Sequence, residues 1–169
     1  MPLVHLDKYS EIFVETGTLN GAGVVRALNS GYSKVTSIEL DDNFYKIAKQ
    51  SFSTIPNVEI VYGDSGLVLG EVIENINEKI TFFLDGHYSG PGTAYGIHEY
   101  PLLPELNHIK NHRIKDHVIM IDDLRLWKSY DKELNLENVM TFIKTINEKY
   151  EFFTTEGHIQ DDILVCLVK

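Results

Sequence analysis

The last two strands predicted from the sequence lie too close together in the chain to be parallel, and this constrains the fold more than any other feature. The runs Glu151–Thr155 and Ile163–Val168 are separated only by residues 156–162. A parallel crossover needs roughly a dozen residues or more, usually including a helix. We therefore expect the last strand to run antiparallel to its neighbour and to close the sheet as a hairpin.

The rest of the chain alternates short β-branched and aromatic runs with longer amphipathic segments, which is the pattern of strand–helix units around a mostly parallel sheet. The earlier strands are predicted at Glu11–Thr16, Lys34–Leu40, Val58–Tyr62, Ile80–Leu84 and His117–Ile121. The helices are predicted at Gly21–Ser30, Asn43–Phe52, Gly66–Asn77, Ile97–Asn111 and Leu134–Tyr150. The sequence thus predicts an α/β fold with a seven-stranded, mostly parallel sheet, an antiparallel last strand and helices on both faces.

Length and composition indicate one globular domain over residues 1–169. A chain of 169 residues can bury a core without help from disulfides or a metal. Cys166 is the only cysteine, which excludes a disulfide framework and favours a reducing compartment. The N-terminus shows no signal-peptide pattern, and no apolar run reaches membrane-spanning length. We expect a cytoplasmic protein that binds no membrane.

The formal net charge is −10. Proteins that bind nucleic acid draw much of their affinity from clustered Lys and Arg, which contact phosphates. The acidic balance therefore argues against nucleic acid as a partner.

A glycine-rich turn follows the first predicted strand and leads directly into a helix. It reads Glu15-Thr-Gly17-Thr-Leu-Asn-Gly21, and glycine lets the backbone approach a ligand where a Cβ would clash. The spacing does not match the G-x-G-x-x-G pattern that holds a pyrophosphate, which weakens a nicotinamide interpretation. Glu39 ends the second strand about twenty residues after the turn, where a carboxylate can accept hydrogen bonds from both ribose hydroxyls.

The order of elements resembles that of the class I S-adenosylmethionine-dependent methyltransferases, with a Rossmann-like sheet closed by a hairpin, over nearly the whole chain. Dinucleotide-binding dehydrogenases differ, because their halves are built from crossovers throughout. The resemblance implies that Glu15 lies near the cofactor's amino group and that the glycine turn meets its methionine part. Asp64 and Ser65 would contact the adenine ring, cap the following helix, or do both. The residues expected to bind S-adenosylmethionine are Glu15, Thr16, Gly17, Thr18, Asn20, Gly21, Glu39, Leu40, Asp64, Ser65 and Asp85.

Carboxylates also follow the fourth and fifth strands. The segments LDGHYSG, which contains Asp85 and His87, and IDD, which contains Asp122 and Asp123, resemble the metal-dependent sugar O-methyltransferases of the macrocin and novobiocin type. They also resemble a bacterial and viral group that shares both segments. The sugar enzymes usually carry a second aspartate two residues after the first, and His87 takes that position here.

This resemblance implies that the two strands are neighbours and that Asp85, Asp122 and Asp123 converge. Three close carboxylates repel one another unless a cation balances them, and oxygen ligands suit Mg²⁺ or Mn²⁺. Both adjacent aspartates can bind one ion only if the strand has ended there, because adjacent strand residues point to opposite faces. Asp85 or His87 would take the proton from the acceptor, or His87 would only orient it. Arg125 would bind an anionic group of the acceptor or form a salt bridge.

The leading hypothesis is a metal-assisted O-methyltransferase that acts on a sugar or glycan hydroxyl. A nicotinamide-dependent oxidoreductase is disfavoured by the glycine spacing and by the terminal hairpin. A non-catalytic cofactor-binding module is the third alternative, and the aspartates speak against it. The chain starts close to its first strand, so we expect either a site open to a large glycan or a homo-oligomer in which another subunit covers the small-molecule acceptor.

Overall fold

The computed structural model describes residues 8–130 and 134–169, so the N-terminal segment judged above to carry no signal peptide lies outside the described residues. The strands are β1 (Ile12–Thr16), β2 (Lys34–Glu39), β3 (Val58–Tyr62), β4 (Ile80–Leu84), β5 (Val118–Ile121), β6 (Tyr150–Thr155) and β7 (Ile163–Val168). The helices are α1 (Ala22–Asn29), α2 (Asp42–Ser51), α3 (Ser65–Ile73), α4 (Leu102–Asn111), α5 (Trp127–Tyr130) and α6 (Leu136–Lys144). A 3₁₀ turn over Leu124–Leu126 precedes α5.

The strands form one sheet in the order β3-β2-β1-β4-β5-β7-β6. Strands β1 to β5 pair in parallel, whereas β7 lies between β5 and β6 and is antiparallel to both. The predicted seven-stranded sheet with its antiparallel last strand is therefore confirmed. The short β6–β7 connection determines this outcome, since it leaves no room for a crossover helix.

Helices pack on both faces of the sheet, as predicted. The central strands β1 and β4 are buried at every position, which fits strands covered on two sides. One core cluster joins the sheet to α3, α4 and α6 through residues such as Leu69, Leu106 and Ile143. The other joins it to α1 and α2 through Val24 and Ala48. In the described chain no helix is both long and apolar enough to cross a membrane.

Helices α4 and α6 are much shorter than the sequence pattern predicts, and α3 also ends early, at Ile73 and not at Asn77. Helix α4 begins at Leu102 and not at Ile97, because the residue before a proline is pushed out of the helical region and Pro101 stands at the N-cap. Helix α6 ends at Lys144, and Tyr150, which was predicted to be helical, is the first residue of β6. The late start of α4 leaves a long loop between β4 and α4, at the edge of the sheet where the parallel strands end.

Candidate functional site

A cavity of about 730 Å³ lies at the carboxyl ends of the parallel strands. Its size is within the range of about 300–1,000 Å³ that is usual for ligand pockets. The glycine turn and the segments after β4 and β5 all contribute to its lining. Open α/β sheets bind ligands at this edge, so the predicted cofactor and carboxylate motifs share one site.

The glycine turn depends on left-handed backbone at Gly17 (φ 84°), Leu19 (φ 46°) and Gly21 (φ 77°). A Cβ on Gly17 would collide with the backbone carbonyl of Asp85, so this position tolerates only glycine without rearrangement. The carboxylate of Glu39 fixes the turn, because Oε2 accepts a hydrogen bond from the Leu19 amide at 2.7 Å. Glu39 thus shapes the turn and also lines the cavity, where it was predicted to meet a ribose.

Glu15 is buried at the end of β1, with only 2% of its surface exposed. The Ser37 hydroxyl donates to its Oε2 at 2.6 Å, and a Cβ on Gly23 would overlap its Oε1. Burial raises the pKa of Glu15 to about 8, and this effect exceeds the opposing effect of the Ser37 hydrogen bond. A cationic group in the cavity would therefore favour the ionised form of Glu15.

Asp64 and Ser65 follow β3 and line the cavity. Oδ1 of Asp64 accepts from the Gly66 amide at 3.0 Å, so Asp64 caps α3, as one of the two interpretations predicted. Oδ2 of Asp64 accepts from the Ile97 amide at 2.9 Å and ties the loop before α4 to this strand end. The Ser65 hydroxyl donates to Glu105 at 2.6 Å. Both side chains therefore have structural roles beside any contact with adenine.

The remaining residues of the predicted cofactor set divide into two groups. Thr18, Asn20, Leu40 and Asp85 line the cavity together with Gly17. Thr16 and Gly21 are not among the lining residues. The hydroxyl of Thr16 instead accepts from the Asp85 amide at 3.1 Å, and Gly21 is the N-cap of α1. These two residues position the site without facing the cavity.

Asp85 and Asp123 come together because Leu84 and Ile121 are paired at the ends of neighbouring parallel strands. His87 lies between the two carboxylates. Its Nε2 is 2.6 Å from Oδ2 of Asp123 and 3.4 Å from Oδ1 of Asp85, and its Nδ1 is 3.2 Å from the carbonyl oxygen of Tyr88. Burial opposes a charge on the imidazole, but the hydrogen bonds to Asp123 and Asp85 outweigh it and raise the pKa of His87 to about 10. Without a metal, His87 is therefore a cation between two acids, and a metal at Nε2 would take the place of one ring proton.

The structure does not bring Asp122 into this cluster. Its Oδ1 accepts from the Asp123 amide at 2.8 Å, and its side chain belongs to a neighbouring group with Asp123 and Asp162. Asp123 itself is in the left-handed region (φ 60°), so β5 has ended before it, as the metal hypothesis requires. Burial, followed by repulsion from Asp85 and Asp123, raises the pKa of Asp122 to about 7.

Arg125 forms salt bridges, as one of the two interpretations predicted. Its Nη1 is 2.5 Å from Oδ1 of Asp123, and it also pairs with Asp162, which is 1% exposed. Asp162 in turn accepts from the backbone amides of Arg125 and His158. Arg125 therefore holds Asp123 in place and forms ion pairs with two acids. The sequence analysis missed Asp162, because a lone aspartate in a hairpin carries no motif.

A second missed acid, Glu105, lies beneath the cavity on α4. Its side chain is fully buried, and its Oε1 accepts from Ser65 while its Oε2 has no hydrogen-bond partner in the described chain. Burial raises the pKa of Glu105 to about 7. A glutamate inside an amphipathic helix is normally solvent-exposed, so only the tertiary structure identifies it as part of this edge.

The donor set at the cluster fits a divalent metal. One ligand atom each from Asp85, His87 and Asp123 lie within 4.8 Å of one another. Carboxylates suit Mg²⁺ and Mn²⁺, whereas imidazole suits transition metals, so this mixed set favours Mn²⁺ over Mg²⁺. His87 thus joins the cluster where Asp122 was predicted.

Comparison with known proteins bears on the fold. No protein-family model matches the sequence, and no curated protein matches it either. In structure the chain is similar to an O-methyltransferase from Bacillus cereus in complex with SAH (S-adenosylhomocysteine), with a TM-score of 0.58 at 17% identity over 95% of this chain and 74% of that one.

Two further structures are similar. One is a protein of the methyltransferase class from Streptococcus mutans in complex with SAH, with a TM-score of 0.59 at 18% identity over 96% of this chain and 90% of that one. The other is an rRNA methylase from Streptococcus thermophilus, with a TM-score of 0.58 at 16% identity over 98% and 89% of the two chains. At these identities the comparisons bear on the fold alone, and they give the chain the Rossmann-like fold of the class I S-adenosylmethionine-dependent methyltransferases.

Proposed function

We propose that the chain is an S-adenosylmethionine-dependent O-methyltransferase that methylates a sugar hydroxyl with the assistance of a divalent metal. The observation that carries this proposal is one cavity that joins a glycine turn flanked by Glu15 and Glu39 to the cluster of Asp85, His87 and Asp123. The antiparallel β7 and the glycine spacing speak against the nicotinamide alternative.

The lining residues fit the parts of this cofactor. Glu15 offers a carboxylate for an amino group, and Glu39 offers one for the ribose hydroxyls at the next strand end. The left-handed Gly17 lines the cavity and lets the turn pack against the Asp85 carbonyl, which a Cβ would prevent. S-adenosylmethionine supplies an electrophilic methyl group on a sulfonium, and the protein has to bring an acceptor oxygen in line with it.

Asp85 is the candidate general base. Its side chain is 30% exposed, whereas those of His87 and Asp123 are 9% and 12% exposed, so Asp85 is the most accessible member of the cluster. Both ring nitrogens of His87 face acceptor oxygens. Whether Nε2 holds a proton or a metal, the imidazole has no free lone pair to take the proton of the acceptor. As the acceptor oxygen bonds to the methyl carbon and the carbon–sulfur bond breaks, the hydroxyl proton passes to Asp85.

A divalent cation would be held by Asp85, Asp123 and Nε2 of His87, and His87 would have to release its Nε2 proton to bind it. Bound there, it would supply Lewis-acid polarisation that lowers the pKa of the acceptor hydroxyl. Arg125 contributes by keeping Asp123 in place through its ion pair. The acidic composition disfavours nucleic acid, and a sugar offers neighbouring hydroxyls that suit such a site.

The cofactor assignment is tested by isothermal titration calorimetry with SAH and with NADH. We expect SAH to bind and Glu39→Ala to weaken it about tenfold or more, since a lost pair of charge-assisted hydrogen bonds has roughly this effect. The exposed Glu59 on β3 provides a matched control, because Glu59→Ala should leave binding unchanged. Binding of NADH without any response to SAH would refute the assignment.

Metal assistance is tested by chelation. We expect a chelator to abolish methyl transfer while SAH still binds, and Mn²⁺ to restore transfer better than Mg²⁺, because the donor set includes an imidazole. Undiminished transfer in the presence of chelator would contradict the metal proposal. SAH binding without transfer to any acceptor, with or without metal, would favour the non-catalytic module.

A further inference from the structure

Arg26 lines the cavity from α1 and has no acidic partner among the described residues. Its Nε is buried and has no hydrogen-bond partner within the described chain, and no carboxylate among residues 8–130 and 134–169 lies within ion-pair distance of it. The guanidinium stands 5.9 Å from the centre of the Phe83 ring. Arg125 also lines the cavity, but it is already paired with two aspartates. Arg26 is therefore the arginine of this cavity that is available to an anion.

The position of Arg26 on α1 places it beside Glu15. Gly23 and Arg26 are three residues apart and share one face of the helix. Glu15 packs directly against Gly23, since a Cβ there would overlap Oε1 of Glu15. Helical side chains lean toward the N-terminus of their helix, so the Arg26 side chain extends back toward Gly23. An acid and a base thus border the same stretch of the cavity.

The other charges around the cavity make this pairing selective. Most charged side chains in the lining are acidic, including Glu39, Asp64, Asp85 and Asp122. An anionic group would be repelled at these positions. An α-amino acid carries its ammonium and its carboxylate on one carbon, so it needs an acid and a base that are neighbours. Glu15 and Arg26 meet this requirement.

We propose that Arg26 binds the α-carboxylate at the methionine end of the cofactor, while Glu15 binds the ammonium. The inference rests on the proposed function, because it takes S-adenosylmethionine as the ligand. A role for Arg26 in holding an anionic acceptor is the competing assignment, and it predicts a different response to SAH.

The test compares two ligands by calorimetry. SAH carries the amino-acid end, whereas 5′-methylthioadenosine lacks it. We expect Arg26→Met, which keeps an apolar stem over Phe83, to weaken SAH binding about tenfold to a hundredfold while the affinity for 5′-methylthioadenosine is unchanged, as for a lost charge-assisted hydrogen bond. Arg26→Lys should give an intermediate loss for SAH, because it keeps the charge without the planar fork.

Arg113→Met is the matched control, since Arg113 is exposed, bonds to Asn77 and Glu74, and does not line the cavity. It should leave both affinities unchanged. Unchanged SAH binding in Arg26→Met would overturn the inference and favour the anionic acceptor. Equal losses for both ligands would overturn it as well, because they would indicate a structural role. If the unsubstituted protein binds neither ligand, the proposed function fails together with the inference.

Discussion

Asp85→Asn is expected to lower methyl transfer to a sugar hydroxyl by about a hundredfold to ten-thousandfold, the usual contribution of a general base. Asparagine keeps the shape of the side chain but cannot accept the proton, and it is a poorer metal ligand than a carboxylate. The amide of residue 85 still donates to the Thr16 hydroxyl, because this bond comes from the backbone. The fold and the binding of SAH should therefore be retained.

The measurement is a transfer assay with labelled S-adenosylmethionine against nucleotide sugars, deoxysugar glycosides, catechols and RNA. Asp116→Asn is the matched control, because Asp116 is exposed and does not line the cavity. Its ion pair with Lys79 is long, at 4.0 Å, so its loss should have little effect. Asp122→Asn should reduce transfer less than Asp85→Asn, since Asp122 lies outside the cluster with His87. Transfer that is confined to catechols or RNA would contradict the sugar assignment, and full activity of Asp85→Asn would contradict its role as base.

The sequence predicts those parts of the fold that follow from chain length between elements. The 156–162 connection requires a hairpin, and the structure confirms the antiparallel β7. The convergence of the segments after the strands was also predictable, because the carboxyl ends of parallel strands lie at one edge of the sheet. Asp85 and Asp123 converge for this reason alone, through the pairing of β4 with β5.

The sequence does not predict where side chains point in the segments after the strands, or where the helix after such a segment begins. Asp122 and Asp123 are identical in type and adjacent, and only the left-handed backbone at Asp123 decides which of them faces His87. The start of α4 depends on Pro101, whose effect competes with a helical apolar pattern that begins earlier. Arg26 and Glu105 look like ordinary helix-surface charges in the sequence, whereas the structure places Arg26 in the lining of the cavity and buries Glu105 against Ser65.

Binding of SAH is expected to tighten as the pH rises from about 6 to about 8, by up to about tenfold per pH unit. Burial raises the pKa of Glu15 to about 8 in the free protein, so below that pH the side chain mostly carries a proton. The ligand's ammonium favours the carboxylate, and binding must therefore release this proton. Above the pKa of Glu15 the dependence should level off, because no proton remains to be released. Titrations in buffers of different ionisation enthalpy would measure the proton release directly.

Glu15→Gln separates this effect from the other acids of the cavity. Asp122 also titrates near neutral pH, but its contribution would persist in the variant, whereas that of Glu15 would disappear. We expect Glu15→Gln to bind SAH more weakly at high pH and to lose the part of the pH dependence that ends near pH 8. The exposed-site control Glu59→Gln should behave like the unsubstituted protein. The same proton affects stability. Because the pKa of Glu15 is raised in the folded protein, its contribution to the free energy of unfolding is complete at acid pH and is lost as the pH rises through about 8. SAH should therefore raise the melting temperature more at pH 8 than at pH 6, and an equal rise at both would show that Glu15 is not the group that receives the ammonium.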